Sequence, residues 1–130
     1  MTTSEALTEG IRVRVSARYS PDHSQPSQRR WLFTYTVRID NEGDDTVQLI
    51  SRRWLITDAK GRVEEVEGPG VVGVQPTLPP GETFEYTSFC PLPTAFGTME
   101  GAYQMVRTDS GDTFEATIAP FALSTPYAVN

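Results

Sequence analysis

The chain has 130 residues, enough for one domain with its own hydrophobic core, and its 17 acidic and 11 basic side chains give a formal net charge of −6. A negative chain is repelled by polyanionic backbones, so we expect no nucleic-acid partner. The single cysteine, Cys90, cannot form an intrachain disulfide. Neither a secretory signal nor a run of about 18 apolar residues occurs, so we expect a cytoplasmic protein without direct membrane insertion.

Seven segments alternate between apolar and polar residues with the period of two that is typical of half-buried strands. In chain order they are residues 11–19, 30–40, 46–58, 63–67, 83–89, 101–107 and 113–123. The clearest is RWLFTYTVRID (30–40), in which every second residue is a large apolar one. Within 46–58 the apolar parity changes, and this change predicts a β-bulge near Ser51.

Turn signals separate these segments. Three polar stretches predict hairpins: NEGDD (41–45), DAKG (58–61) and DSGD (109–112). No segment has the apolar spacing of a capped amphipathic helix, and ten prolines and ten glycines interrupt the chain. The pattern predicts an all-β fold with almost no helix, an immunoglobulin/fibronectin type III-like antiparallel β-sandwich of about seven strands.

The same pattern predicts one domain over residues 11–123. Residues 1–10 and 124–130 lack apolar periodicity, so we expect a flexible N-terminus and a flexible C-terminus. Tyr86, in LPPGETFEY, occupies a place where such sandwiches often carry a corner tyrosine.

The stretch EGPGVVG has the glycine spacing of a dinucleotide-binding motif. Its glycines are Gly68, Gly70 and Gly73. The motif needs a helix after its last glycine, but VQPTLPPG follows here and its three prolines forbid one. We therefore interpret the loop as structural, with nucleotide or pyrophosphate binding as the alternative. Gly70 follows Pro69 and is expected at positive φ, and one of Val71 and Val72 should pack inward.

Few residue types suited to catalysis or metal binding occur. The lone His23 and Cys90 exclude a soft-metal quartet and a Cys-His pair, and Cys90 is expected to be a small buried hydrophobe. We expect no cofactor and no catalytic residues. The candidate ligands for a hydrated Mg²⁺ or Co²⁺ are Asp40, Glu42, Asp44 and Asp45. We interpret this acidic cluster as a solvated turn, with ion binding as the alternative.

Arg52, Arg53 and Trp54 form the strongest candidate for an interaction surface. Arginine and tryptophan together are the composition of an interface hot spot. For Trp54 itself we favour an ordinary core residue, with an interface hot spot as the alternative.

Several motifs in a fixed order resemble the ApaG family. They are Trp54, ITD, GPGVVG, QP, LPPG, YTS, PL and MEGAYQM, and the likeness runs from about residue 10 to 125. The chain departs from the family pattern at Arg53, where histidine is frequent, and at Phe89, where glycine is frequent.

The resemblance implies a fibronectin type III-like sandwich that is associated with cobalt resistance and magnesium efflux in bacteria. Related domains in F-box proteins and in a polymerase-delta-interacting protein look like protein-interaction modules. The expected function is therefore that of a non-enzymatic cytoplasmic interaction domain that affects cation efflux indirectly, through an unknown protein partner. Direct weak binding of Mg²⁺ or Co²⁺ at the acidic turn is the alternative.

Overall fold

A computed structural model describes residues 1–126, which form nine β-strands and two single-turn 3-10 helices. The strands are β1 (Thr2–Thr8), β2 (Ile11–Tyr19), β3 (Trp31–Asn41), β4 (Val47–Asp58), β5 (Val63–Pro69), β6 (Thr77–Leu78), β7 (Thr83–Leu92), β8 (Phe96–Arg107) and β9 (Thr113–Ser124). The helical turns are Pro21–His23 and Pro26–Gln28. Within the described residues no helix reaches the length and apolar character that crossing a membrane requires.

The strands form two antiparallel sheets that pack as a sandwich. The first sheet has the order β1-β2-β3-β7, and the second has the order β5-β4-β8-β9, with the short β6 also paired to β4. This arrangement confirms the predicted all-β sandwich. Two strands, β1 and β6, add to the predicted seven.

The core lies between the sheets and follows from the period-two pattern. Along β3, Phe33, Val37 and Ile39 are fully buried while the intervening Arg38 is exposed. Burial of one face of each sheet supplies most of the driving force for the fold. The two sheets meet at Trp54, which is 2% exposed.

The ring of Trp54 has three aromatic neighbours from both sheets. Its centroid lies 5.3 Å from that of Tyr35, 6.0 Å from that of Phe121 and 6.4 Å from that of Tyr103. All three pairs are edge-on, which is the favourable orientation for aromatic quadrupoles.

The prediction of a flexible N-terminus is wrong. Strand β1 pairs with β2 along its whole length, from Thr2 opposite Ala17 to Thr8 opposite Ile11. Its side chains are half-buried or exposed, so the strand carries little apolar periodicity and pairing with β2 supplies its backbone hydrogen bonds. At the predicted flexible C-terminus, Ser124 ends β9 and residues 127–130 lie outside the described residues.

Two of the three predicted hairpins are confirmed. DAKG joins the paired strands β4 and β5, and DSGD joins β8 and β9. NEGDD joins β3 to β4, which belong to different sheets, so a hairpin there is wrong. A polar turn reverses the direction of the chain, but the packing of the sheets decides which strand pairs with the one that follows the turn. The bulge is confirmed by a register shift between Leu49 and Ser51.

Tyr86 joins the two sheets. Its hydroxyl lies 2.5 Å from the hydroxyl of Tyr103 in a buried hydrogen bond between β7 and β8. The hydroxyl of a corner tyrosine bonds to the backbone, whereas that of Tyr86 bonds to another side chain. The prediction that Tyr86 is a corner tyrosine is therefore wrong. Burial raises the pKa of Tyr86, and it raises the pKa of Tyr103 well above its ordinary value.

We expect this tyrosine pair to make the fold sensitive to alkali. Because the folded pKa values are raised, the contribution of the neutral pair to stability is complete below the unfolded pKa of about 10 and is lost as pH rises above it. Urea midpoints measured between pH 8 and 11 should stay level up to about pH 10 and then fall, more steeply for the parent than for Tyr86→Phe/Tyr103→Phe. A parent midpoint that stays constant over this range would contradict the assignment.

Candidate functional site

The glycine loop, residues 70–76, folds into a tight turn between β5 and β6. The amide of Val71 donates to the Val74 carbonyl at 2.8 Å, and the amide of Val74 donates to the Val71 carbonyl at 2.9 Å. Gly70 has φ +59°, which confirms the positive φ expected after Pro69. Val71 is fully buried in the core and Val72 is 58% exposed, so the loop is anchored by one inward side chain, as predicted.

The guanidinium of Arg52 holds the start of this loop. Its Nη1 donates to the carbonyls of Pro69 and Gly70, both at 3.0 Å. Gly68 lies opposite Arg52 in the β4–β5 register, and a Cβ at Gly68 would come within 3.0 Å of Nη1. Gly68 therefore provides the space through which Arg52 reaches the loop.

Three amides of the glycine loop are engaged within the chain and are not free to bind a phosphate. A phosphate cradle presents free backbone amides to the anion. Here the amide of Gly70 donates to the Ile50 carbonyl at 2.8 Å, and the amides of Val71 and Val74 bond to each other's carbonyls. The loop instead presents carbonyl oxygens to Arg52. This geometry supports the structural interpretation of Gly68, Gly70 and Gly73.

The acidic cluster is divided among arginines. Glu42 accepts hydrogen bonds from Arg12 at 2.7 and 3.0 Å, and Asp45 lies 3.6 Å from Arg107. Asp40 accepts from Arg38 at 3.2 Å and from the Thr83 hydroxyl at 2.5 Å. Asp44 is exposed. In the part of the chain that the structure describes, no three His, Cys, Asp or Glu residues are arranged to hold a metal ion. The acidic cluster therefore has no preformed metal-binding geometry among the described residues.

The pKa shifts of these side chains agree with their pairing to arginines. Hydrogen bonds from Arg12 lower the pKa of Glu42. Burial acts to raise the pKa of Asp40, but hydrogen bonds from Thr83 and Arg38 lower it on balance. Hydrogen bonds to Glu42 and Glu5 raise the pKa of Arg12. These carboxylates are held ionised by fixed cations, and a metal ion would have to displace those cations.

Arg52, Arg53 and Trp54 do not form one exposed patch. Trp54 is 2% exposed, which agrees with its interpretation as a core residue. Arg52 donates to the carbonyls of the glycine loop, and Arg52 and Arg53 both line a surface cavity of the second sheet with Gln104 and Glu115. Alternation along β4 sends the side chains of Arg53 and Trp54 to opposite faces, which explains why Trp54 is buried and Arg53 is not.

A groove that the sequence analysis did not predict lies between strands β5 and β7, and we call it the edge groove. It has a volume of about 290 Å³. Glu64 and Val66 of β5 and Ser88 and Phe89 of β7 lie along its sides. The buried Trp54 and Met99, the partly buried Ile56 and the charged Arg52 also line it. The indole Nε1 of Trp54 has no hydrogen-bond acceptor within residues 1–126.

Comparison with known proteins identifies the family. The ApaG domain model matches residues 21–107. A protein ApaG from Anaeromyxobacter dehalogenans is 58% identical over 127 residues, which cover 98% of this chain and 99% of the relative. The chain belongs to the ApaG family. A second ApaG protein, from Rhodospirillum centenum, is 56% identical over 93% of this chain and 92% of the relative.

The ApaG fold is also seen in a solved structure. The crystal structure of a Bordetella pertussis protein described as ApaA has a TM-score of 0.86 and 56% sequence identity, and the match covers 90% of this chain and 94% of that one. The residues matched by the ApaG domain include the glycine loop, Arg52 and both strands beside the edge groove. They exclude β1, β2 and β9, and of these β1 and β9 pack together on the other side of the sandwich.

Cys90 of this ApaG chain lines the edge groove but is 2% exposed. Burial, assisted by the charge of Glu64, raises the pKa of its thiol from 9.0 to about 12. Because the thiolate is the nucleophile, a disulfide reagent at pH 8 should react about a thousandfold more slowly with the native chain than with the chain in urea. Equal rates in the two states would show that the thiol is not buried.

Proposed function

We propose that this ApaG-family chain is a non-enzymatic, cytoplasmic protein-interaction domain that acts on divalent-cation (Co²⁺/Mg²⁺) efflux or resistance indirectly. The edge groove is its docking surface. The observation that carries the proposal is the exposed Phe89, 61% accessible, on a strand whose groove side has no strand partner. Natural sheets usually cover or charge such an edge, and an exposed aromatic residue there favours association.

The two sides of the sandwich differ in a way that supports docking at the groove. On the far side, β1 packs along β9, and hydrogen bonds join Thr2 to Ala122 and Thr8 to Thr117. On the groove side, the edges of β5 and β7 remain separate from each other. Large exposed apolar residues on unpaired edges are the places where protein partners add to β-sandwiches.

The indirect link to cations rests on the family resemblance and on the arginine pairing of the acidic turn. Because Asp40, Glu42 and Asp45 are engaged by arginines, a partner that itself handles the ion explains the association with efflux better than binding at this turn does. The proposal therefore assigns recognition to this chain and ion handling to its partner.

A capture experiment with matched variants tests the proposal. Phe89→Glu places a charge at the groove, and Leu7→Glu places the same charge on β1, at a residue of similar exposure (53%) on the far side. The tagged parent and Leu7→Glu should recover the same partner from native cells and restore cobalt tolerance to a deletion strain. Phe89→Glu should recover about tenfold less partner and fail to restore tolerance.

Three results would contradict the proposal. They are the absence of any partner above background, equal recovery by both glutamate variants, and full restoration of tolerance by Phe89→Glu. Thermal melts of both variants establish beforehand that they fold like the parent.

A further inference from the structure

We infer that the edge groove takes an extended, basic segment of the partner protein, which adds to β7 as a further strand. The inference rests on the proposed function and specifies its partner chemically. Three features of the groove carry it: the free backbone of β7, the apolar lining and the acidic rim.

The backbone of β7 is open along ten residues. The strand pairs with β3 on one side only, from Thr83 opposite Asp40 to Leu92 opposite Trp31. In an antiparallel ladder alternate residues turn their amide and carbonyl groups away from the existing partner, which here means toward the groove. Only Pro91, near the end of the strand, lacks an amide to offer.

Strand β5 is the poorer template of the two. It has seven residues, ends at Pro69 and leads directly into the glycine loop. Gly68 lies under the Arg52 guanidinium, so the end of β5 is already occupied by contacts within the chain. A segment that enters the groove therefore has β7 as its hydrogen-bonding partner and β5 as its opposite wall.

The apolar residues that line the edge groove indicate which positions of the bound segment are apolar. Successive side chains of a strand point to opposite faces, so every second residue of an added strand points toward the space between the sheets. Those residues meet Ile56, Val66 and the edge of the buried Trp54–Met99 region. The segment should therefore carry apolar residues with a period of two.

The carboxylates of β5 and β7 indicate the charge of the bound segment. Glu64 is the carboxylate that lines the groove, and the guanidinium of Arg52, which also lines it, donates to the Pro69 and Gly70 carbonyls. Glu65 and Glu67 of β5 and Glu85 of β7 lie on the same two strands outside the lining. None of the four carboxylates has an ion pair among the described residues. The chain as a whole carries a net charge of −6. Complementarity favours Lys or Arg at the alternate positions of the segment, which speeds encounter and selects against acidic segments.

Peptide selection against the full chain tests the inference. A library of random twelve-residue peptides displayed on phage is panned against the parent, and the enriched peptide is synthesised. We expect enriched sequences with net positive charge and apolar residues at every second position. Reversal at the rim, Glu64→Lys/Glu85→Lys, should weaken binding about tenfold. The control Glu100→Lys/Glu115→Lys, at exposed positions on β8 and β9, should leave binding within about twofold of the parent.

Amide hydrogen exchange supplies a readout of geometry that charge attraction alone would not change. The bound peptide should slow exchange at every second amide between Thr83 and Cys90, because only those amides face the added strand. Enrichment of acidic or helical peptides, equal binding to the rim variant, or protection without the alternation would overturn the inference.

The two proposals fail separately. A captured partner whose binding is unaffected by Glu64→Lys/Glu85→Lys overturns the inference and leaves the proposed function standing. The absence of any cellular partner, combined with alternating protection by a basic peptide, overturns the proposed function and leaves the strand-addition site standing. Dimerisation of the peptide-free chain through β7, seen as concentration-dependent sedimentation, would overturn the inference in favour of a second copy.

Discussion

Gly70→Ala is expected to destabilise the fold by about 3 kcal/mol, the sum of left-handed backbone strain and a steric clash. At φ +59° any Cβ is strained, and at this position it would also collide with the Val74 carbonyl oxygen. Relief of the collision requires opening the Val71–Val74 turn, and that turn holds Val71 in the core. Urea denaturation of the purified chain measures the loss.

Gly73→Ala is the matched control for this prediction. Gly73 also has positive φ, at +85°, but a Cβ there would meet no atom within 4 Å. Gly73→Ala should lower the free energy of unfolding by about 1 kcal/mol, through backbone strain alone. Equal losses for the two alanine variants would show that the close approach of Gly70 to Val74 does not occur in solution.

Val71→Lys should destabilise the fold by about 4 kcal/mol, because an isolated ammonium must be desolvated where no partner is available. Val71 has no exposed surface, while Val72, the next residue, is 58% exposed. Val72→Lys should therefore leave the unfolding midpoint close to that of the parent. The same denaturation series measures both variants.

A milder variant keeps this prediction testable if Val71→Lys does not fold. Val71→Thr preserves the shape and buries a hydroxyl, which should cost about 1–2 kcal/mol. A stability equal to that of the parent for Val71→Thr and Val71→Lys would mean that the loop does not insert Val71 into the core.

Local patterns predicted the parts of this fold that depend on neighbouring residues. Alternation in residues 30–40 identified β3, the parity change identified the bulge near Ser51, and the Pro69-Gly70 pair indicated the positive φ of Gly70. In each case the backbone preferences and the side-chain pattern of a few neighbouring residues are sufficient to predict the feature.

Features that depend on strand order were not predictable in this way. The edge groove exists because β5 and β7 end their sheets on the same side, and no single strand encodes that position. The contact between Arg52 and the glycine loop needs the register that places Arg52 opposite Gly68. The ion pair between Arg12 and Glu42 likewise joins residues that are distant in the chain, so the acidic turn looked unpaired in sequence.

We propose that this ApaG chain recognises a protein through the edge groove, and we interpret the glycine loop as structural. Photo-crosslinking in native cells tests it most directly, with p-benzoylphenylalanine at position 89 in the groove or at position 72 on the loop. Phe89 and Val72 are similarly exposed, at 61% and 58%. The account predicts a crosslink to one defined protein from position 89 and none from position 72. A crosslink from position 72 alone, or from neither position, would contradict it.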